Sequence, residues 1–390
     1  MDTFTEPDGV PPLMRPGETR ESWESERRAQ LRELLERRCY GFRPVERPPQ
    51  LSFAKVPHDP RSLEPDDAPV LGGAAFRRRM RCDYGGQYGT GSFPFTAYVP
   101  KSDEPVPAFL FIALHPLEEY VGPLRTNESV WAVETILRRG YAAIGFDIHD
   151  VTPDMWHGNT RGAFAAFCEV ERLYRPRDEW GCLSVWAWGA SRILDWIETE
   201  PGLFDAKRVA VIGHSRGGKT ALLAGALDER FAMVVSNDSG TGGAKLHHAD
   251  LPDSEHIMHS VRTNQFWYCR DYTEWVNRDK EVPWDQHMLV ALCAPRPVCI
   301  GSATDDAWAG PRGEYATARL ASPAWELYGK RGLVSDGFPN PNEARQDGTV
   351  SYHLRAGGHA LADYDWGVYL DFADARLSPH PRFTCGSGRA

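Results

Sequence analysis

Apolar and polar positions along this chain fall into a repeating order. Residues 108–114 read AFLFIAL, an unbroken apolar run of strand length, as expected where both faces of a sheet are covered. A helix is predicted over 128–139, and 141–148 (YAAIGFDI) form a second buried strand. A long helix over 183–198, rich in Trp and Ala, leads to a third strand at 209–212 (VAVI) and a helix continuing over 220–227. Further strands are predicted at 232–236 (AMVVS), 297–301 (PVCIG) and 351–355 (SYHLR), before a closing helix from 364 to about 375. Strand and helix in alternation predict an α/β fold, a mostly parallel central sheet flanked by helices in three layers.

The first part of the chain differs. Residues 1 to about 20 are rich in Pro, Gly and Glu and predict a loose arm. Residues 21–38 are charged but carry Leu31, Leu34 and Leu35 at helical spacing, so a surface helix follows. A Pro-rich connector over 43–69 leads into two strands, 74–82 and 93–100, of an antiparallel ribbon turning near Gly85 and Gly86. With no internal repeat, the simplest division is an extension over 1–70, one α/β domain over 71–380, and a tail over 381–390.

Composition narrows the function classes. The chain of 390 residues is 42% hydrophobic and carries a net charge of -10, which argues against nucleic acid or an anionic membrane as partner. No apolar run approaches bilayer-spanning length. The start lacks the basic and apolar regions of a secretory signal, so as written the chain reads as cytoplasmic; a secreted protein that had lost its signal would look the same. Its eight cysteines form no CxxC pair and read as packed, reduced thiols. Its 13 histidines include no HExxH pair, and His247-His248 reads as a polar loop. Neither metal nor cofactor is implied.

Candidate chemistry centres on Gly213-His214-Ser215-Arg216-Gly217. This is a GxSxG pattern entered by an apolar strand and left by an alanine-rich helix, the context of a nucleophile elbow in the α/β-hydrolase fold. The tight turn lifts the Ser215 hydroxyl above the sheet, while the helix N-terminus offers amide donors to a developing oxyanion. The base of such a site follows the last strand, where His359 stands in Ala356-Gly357-Gly358-His359-Ala360; His353 competes but lies within the strand. Two acids satisfy the order Ser, acid, His: Asp306 and Asp238, with Asp305 a close neighbour of the former. Arg216 supplies one oxyanion N–H. The second is expected from His115-Pro116-Leu117-Glu118, where Pro116 has none to give, so Leu117 or a side chain must substitute. The Arg216 guanidinium suits an oxyanion or an anionic, hydroxyl-rich substrate, with a surface ion pair as the plain alternative.

The longer stretch Gly213-His214-Ser215-Arg216-Gly217-Gly218-Lys219 resembles the G-x-S-R-x-G-K motif of the glucuronoyl esterases, carbohydrate esterase family 15. The likeness extends through Trp180-Gly181, residues 187–192 (AWGASR), 237–243 (NDSGTGG), 285–288 (DQHM), 294–297 (APRP), 302–311 (SATDDAWAGP) and 357–366 (GGHALADYDW). It resembles the bacterial branch more than the fungal one. It implies hydrolysis of the ester between a glucuronic or 4-O-methylglucuronic acid carboxyl and an alcohol, as between xylan and lignin, by an acyl-enzyme route. By position it implies Ser215 as nucleophile, His359 as base and Arg216 as oxyanion support. Asp238 falls where many members place a catalytic glutamate, and Asp306 where bacterial members place an acid. Lys219, Glu255 and Trp308 fall on sugar-contacting positions. The chain departs from the family in the shorter acid at Asp238 and in residues 245–255 (KLHHADLPDSE), which do not match the usual substrate loop. The partner expected is a small-molecule or oligosaccharide uronate ester. An esterase for intracellular acetylated sugars or other small esters, and a non-catalytic carbohydrate-binding protein, are the competing readings.

Overall fold

A computed structural model describes residues 5–56, 67–121, 128–171, 174–249 and 251–377. Among them, one sheet holds eleven strands: β1 (Gln50–Lys55), β2 (Asp67–Val70), β3 (Ala75–Gly85), β4 (Thr90–Pro100), β5 (Val106–Ala113), β6 (Ala142–Asp147), β7 (Phe204–His214), β8 (Met233–Asn237), β9 (Val298–Ala303), β10 (Glu343–Arg345) and β11 (Val350–Arg355). The order is β1-β3-β4-β6-β5-β7-β8-β9-β11-β10, with β2 also pairing β3. The block from β6 through β5, β7, β8 and β9 to β11 is parallel, and antiparallel strands close both edges. This is the mostly parallel sheet predicted by the strand–helix alternation, in the α/β-hydrolase arrangement that the elbow at Ser215 pointed to.

Strand β5 shows why the parallel block reads as continuous apolar sequence. Leu110 and Ile112 enter the core on one face, with the helices Cys182–Thr199 and Arg216–Leu227. Phe109, Phe111 and Ala113 enter a second core on the other face, with the helix Asp363–Leu377. A strand buried on both faces gains roughly 1.5–3 kcal/mol for each large apolar side chain, and only apolar residues satisfy that demand. The parallel strands deliver their C-terminal ends to one edge of the sheet, where ligand crevices form in this class of fold.

Several expectations are corrected. The Pro-rich connector is not structureless: it contributes β1, paired with β3 from Gln50↔Gly85 to Lys55↔Met80, and β2, paired from Asp67↔Arg78. The described part of the N-terminal arm is packed. Leu13 is buried, and the Arg27 guanidinium donates to the carbonyls of Leu13 (2.9 Å) and Pro12 (2.7 Å). The helix expected over 128–139 begins only at Val133, because Ala132, with φ -77 and ψ 53, lies outside the helical region. The expected surface helix is present as one helical run from Arg20 to Tyr40, with Trp23, Leu31 and Leu35 buried on its inner side. His247 and His248 do lie in a loop, but an internal one. Both are buried, their backbone N–H groups donating to the Asp285 carboxylate at 2.7 and 3.0 Å. Seven cysteines are buried free thiols; Cys385 and the tail over 381–390 lie outside the described residues. Among the described residues, no helix is long and apolar enough to cross a membrane.

Candidate active site

Four strand ends supply the site. Ser215 follows β7 directly, with φ 56 and ψ -128, and the helix Arg216–Leu227 starts at the next residue. A positive φ at a residue with a Cβ costs energy and marks a held conformation. What holds it is the close approach of strand and helix. A Cβ at Gly213 would stand 2.1 Å from the Gly217 carbonyl oxygen, and the Ser215 N–H donates to the Asn237 carbonyl at the end of β8 (2.9 Å).

His359 arrives on the loop after β11. Its Nδ1 lies 2.5 Å from Asp306 Oδ2, and its side chain is 43% exposed, leaving the other ring edge open to the cleft. Asp306 is buried, and its second oxygen accepts the Ala309 N–H (3.1 Å). The neighbouring Asp305 is exposed and takes the Thr304 hydroxyl instead. His353 lies inside the molecule, its Nε2 2.7 Å from Asp365. The His359 ring packs against His214 with centroids 4.4 Å apart, which brings it beside the residue preceding Ser215. Burial pushes the His214 pKa well below the usual histidine value, and its Nδ1 faces Asn237 Oδ1 at 3.1 Å.

Asp238 shares this corner without joining the pair. One oxygen each of Asp238 and Asp306 and a ring nitrogen of His359 lie within 4.8 Å of one another. The structure therefore places both candidate acids near the base, but only Asp306 hydrogen-bonds it.

Arg216 does not stand free. Its Nε lies against Asp154 Oδ2, off the line of the N–H, and its side chain is partly exposed. Asp154 also accepts the Trp267 indole N–H (2.6 Å). The loop after β5 turns back over Leu117–Tyr120, the Tyr120 hydroxyl accepting the Leu114 N–H at 3.1 Å.

One helical turn past Ser215, Lys219 is buried. Its ammonium donates to the Thr241 carbonyl (2.5 Å) and to Glu255 Oε2 (2.9 Å), with the Trp267 ring 5.8 Å away. Glu255 Oε1 accepts the Ser260 hydroxyl (2.6 Å), and the Glu255 N–H donates to the Trp308 carbonyl (2.8 Å). Trp308 is half exposed, its ring 4.8 Å from that of His259. Lys219, Glu255 and Trp308 are thus brought together. Gly240 separates this group from Asp238; it has φ 61, and a Cβ there would stand 3.0 Å from Glu255 Oε2.

The supporting residues carry no sequence signature. Arg355 donates to Asp365 (2.8 Å) and to the carbonyls of Gly358 (2.7 Å) and Ala360 (2.8 Å), fixing the histidine loop from both sides. Glu314 accepts the N–H groups of Ser239 (2.8 Å) and Gly240 (2.9 Å) and the Ser302 hydroxyl (2.5 Å). Burial raises its pKa to about 7. The one available hint for Arg355 was an arginine ending a strand immediately before a glycine-rich histidine loop.

In comparison with known proteins, the family model for fungal glucuronyl esterases matches residues 88–329. Carbohydrate esterase MZ0003, from an unknown prokaryotic organism, is 32% identical over 91% of this chain and 85% of its own length. The 4-O-methyl-glucuronoyl methylesterase of Podospora anserina is 32% identical over 53% of this chain and 44% of its own. Among solved structures, a glucuronoyl esterase from Solibacter usitatus superposes with a TM-score of 0.84 at 32% identity, covering 94% of this chain and 97% of that one. A promiscuous esterase of carbohydrate esterase family 15 from a marine bacterial metagenome gives 0.81 at 31%, covering 96% and 97%.

Proposed function

Because this chain belongs to the glucuronoyl esterases, carbohydrate esterase family 15, on their bacterial branch, we infer that its cleft hydrolyses esters of glucuronic or 4-O-methylglucuronic acid. It is a carboxylic ester hydrolase, which sets aside the non-catalytic binding-protein reading. The observation that carries the substrate reading is the adjacency of two groups: the Ser215 elbow with its His359–Asp306 pair, and the buried Lys219–Glu255 pair one helical turn away.

The chemistry follows from the atoms present. Asp306 holds His359 Nδ1, which leaves Nε2 as the basic nitrogen. Ser215 Oγ attacks the ester carbonyl carbon while Nε2 takes the hydroxyl proton. The carbonyl oxygen becomes an oxyanion at the N-terminus of the helix Arg216–Leu227, where the Arg216 N–H and the helix dipole stabilise it. The guanidinium of Arg216, anchored by Asp154, adds positive charge at that rim. Collapse expels the alcohol, which leaves with the proton from His359, and an acyl-Ser215 remains. Water, deprotonated by the same nitrogen, attacks the acyl carbon and releases the uronate and the serine.

Lys219 spends two of its three N–H bonds on Thr241 and Glu255. Its third is available to a sugar hydroxyl, and the half-exposed Trp308 face suits a pyranose ring. Matched assays with benzyl glucuronate and an acetyl ester of similar leaving group test the reading: turnover of the acetyl ester alone would remove the uronate assignment. Labelling of Ser215 by a serine-directed phosphonate tests the nucleophile independently. A second reading, a broad small-ester hydrolase, draws on the relative described as promiscuous, and the same paired assays separate it.

A further inference from the structure

Asp238 is the one carboxyl of the buried acidic cluster without a hydrogen bond. Its side chain is buried, and both oxygens lack a hydrogen-bond partner. The groups that face it come from five other segments, one of them the loop after β11, whose His359 has a ring nitrogen within 4.8 Å of an Asp238 oxygen; the Tyr352 and Tyr369 hydroxyls belong to the same surroundings. Asp306 lies on the loop after β9, Glu314 on the helix Pro311–Ala321, Asp365 on the helix Asp363–Leu377, and Arg355 at the end of β11. The other three acids are each satisfied. Asp306 takes His359 and the Ala309 N–H; Asp365 takes His353, Arg355 and the Ala362 N–H; Glu314 takes two amides and a hydroxyl. Arg355 is the permanent cation facing Asp238, and His359 becomes a second one when it takes a proton. The Arg355 Nη2 lies 3.7 Å from Asp238 Oδ2, while its guanidinium bonds Asp365 and two loop carbonyls.

An anion at Asp238 would be dehydrated, without donors, and within reach of further negative charge. A buried charge in that state costs several kcal/mol, and a carboxyl escapes the cost by keeping its proton. Burial first, then the charges of Glu314, Asp306 and Asp365, act in that direction on its pKa, against Arg355. Protonated, Asp238 becomes a donor, and the Asp306 carboxylate is an acceptor within the 4.8 Å triangle these groups form with His359.

We propose that Asp238 is a neutral carboxylic acid, a positioning residue that braces the Asp306 carboxylate by hydrogen bonding, and not a second anionic partner of His359. Its φ of 44 is one that asparagine tolerates, so Asp238→Asn preserves backbone, shape and a donor. The inference rests on the triad reading above, and three variants of the full chain test it. Asp238→Asn should keep kcat within about threefold of the parent with a superposable pH profile, because a neutral donor replaces a neutral donor. Asp238→Leu removes the donor and should lower kcat about tenfold or more with KM little changed. Asp306→Asn should lose about a thousandfold or more.

An infrared difference spectrum between parent and Asp238→Asn at pH 8 should show loss of a protonated-carboxyl carbonyl stretch. Glu314 stays in both proteins and cancels. A loss in Asp238→Asn comparable to that in Asp306→Asn, a shifted pH profile, or the absence of that band would overturn the proposal. If the parent itself failed to turn over any ester, the triad reading would fall separately, while the infrared band would still report the state of Asp238.

Discussion

Replacing Lys219 with methionine separates the two roles its burial imposes. The ammonium is 4% exposed and holds Glu255, itself 10% exposed, at 2.9 Å. Removing one partner of a buried pair strands the other charge, which typically costs about 3–5 kcal/mol of stability. Part of that cost is relieved if Glu255 is neutralised as well, because a glutamine side chain at that position keeps an acceptor for the Ser260 hydroxyl. The single variant Lys219→Met should therefore melt well below the parent, and Lys219→Met with Glu255→Gln should recover part of the difference. Recognition behaves otherwise. A hydrogen bond from a charged donor to a substrate hydroxyl contributes about 1.5–3 kcal/mol, or roughly a 10- to 100-fold change in kcat/KM. Both variants should lose that factor on benzyl glucuronate, yet stay within about threefold of the parent on 4-nitrophenyl acetate, which offers Lys219 no hydroxyl. If the two substrates fell together in the stability-restored double variant, Lys219 would be a structural residue and the sugar-binding assignment would be wrong.

Three further outcomes follow from the same geometry. Asp306→Asn should lower kcat on benzyl glucuronate by about 10³- to 10⁴-fold with a modest change in KM, because the ring loses the partner that orients Nδ1; steady-state kinetics decide it. Trp308→Ala should raise KM up to about tenfold for oligosaccharide uronate esters, while the melting temperature stays unchanged, since the ring is half exposed. Glu314 holds its proton up to about pH 7 when folded, against 4.5 for the free side chain. Between those values the folded state binds a proton that the unfolded chain has released. Stability therefore falls as pH rises through that window, by on the order of 3 kcal/mol at most. Denaturant titrations of Glu314→Gln from pH 4.5 to 7.5 should show that slope flattened, and an unchanged slope would assign it to other groups.

How much of this was legible in the sequence depends on how local each cause is. The parallel strands announce themselves because burial on both faces leaves only apolar residues, as in β5 and β7. Strands β1, β2 and β10 stay hidden for the complementary reason. They lie at the antiparallel margins of the sheet, with side chains only partly covered, and there even Pro69 is tolerated. Ser215 and His359 could be found because a nucleophile elbow and a loop after the last strand are features of chain order. Asp306 and Asp238 could not be ranked on that basis, since both follow a strand between the two. What distinguishes them is three-dimensional: one oxygen pair meets a ring nitrogen and an amide, the other meets neither. Glu314 and Asp154 act on backbone groups and side chains far away in sequence, so no spacing rule points to them, whereas Arg355 acts locally, on Gly358, Ala360 and Asp365 just beyond it.

The segment over 245–255 shows how a side chain of the site is carried into place by contacts at the two ends of a loop. Lys245 is buried and donates to the Glu255 carbonyl (2.7 Å), and Thr241 donates to the same oxygen (2.6 Å). His247 and His248 anchor the start of the segment to Asp285, which caps its own helix at Gln286 and has its pKa lowered to about 2, His248 and the neighbouring histidines outweighing its burial. The segment is therefore tied at both ends to buried charges, its start also by the buried Leu246 and by the His247 and His248 rings, which meet Gln286 and Asp285, and Glu255 is delivered to Lys219 by the backbone contacts at its end. The Lys219–Glu255 contact is thereby held in register with Ser215, one helical turn away.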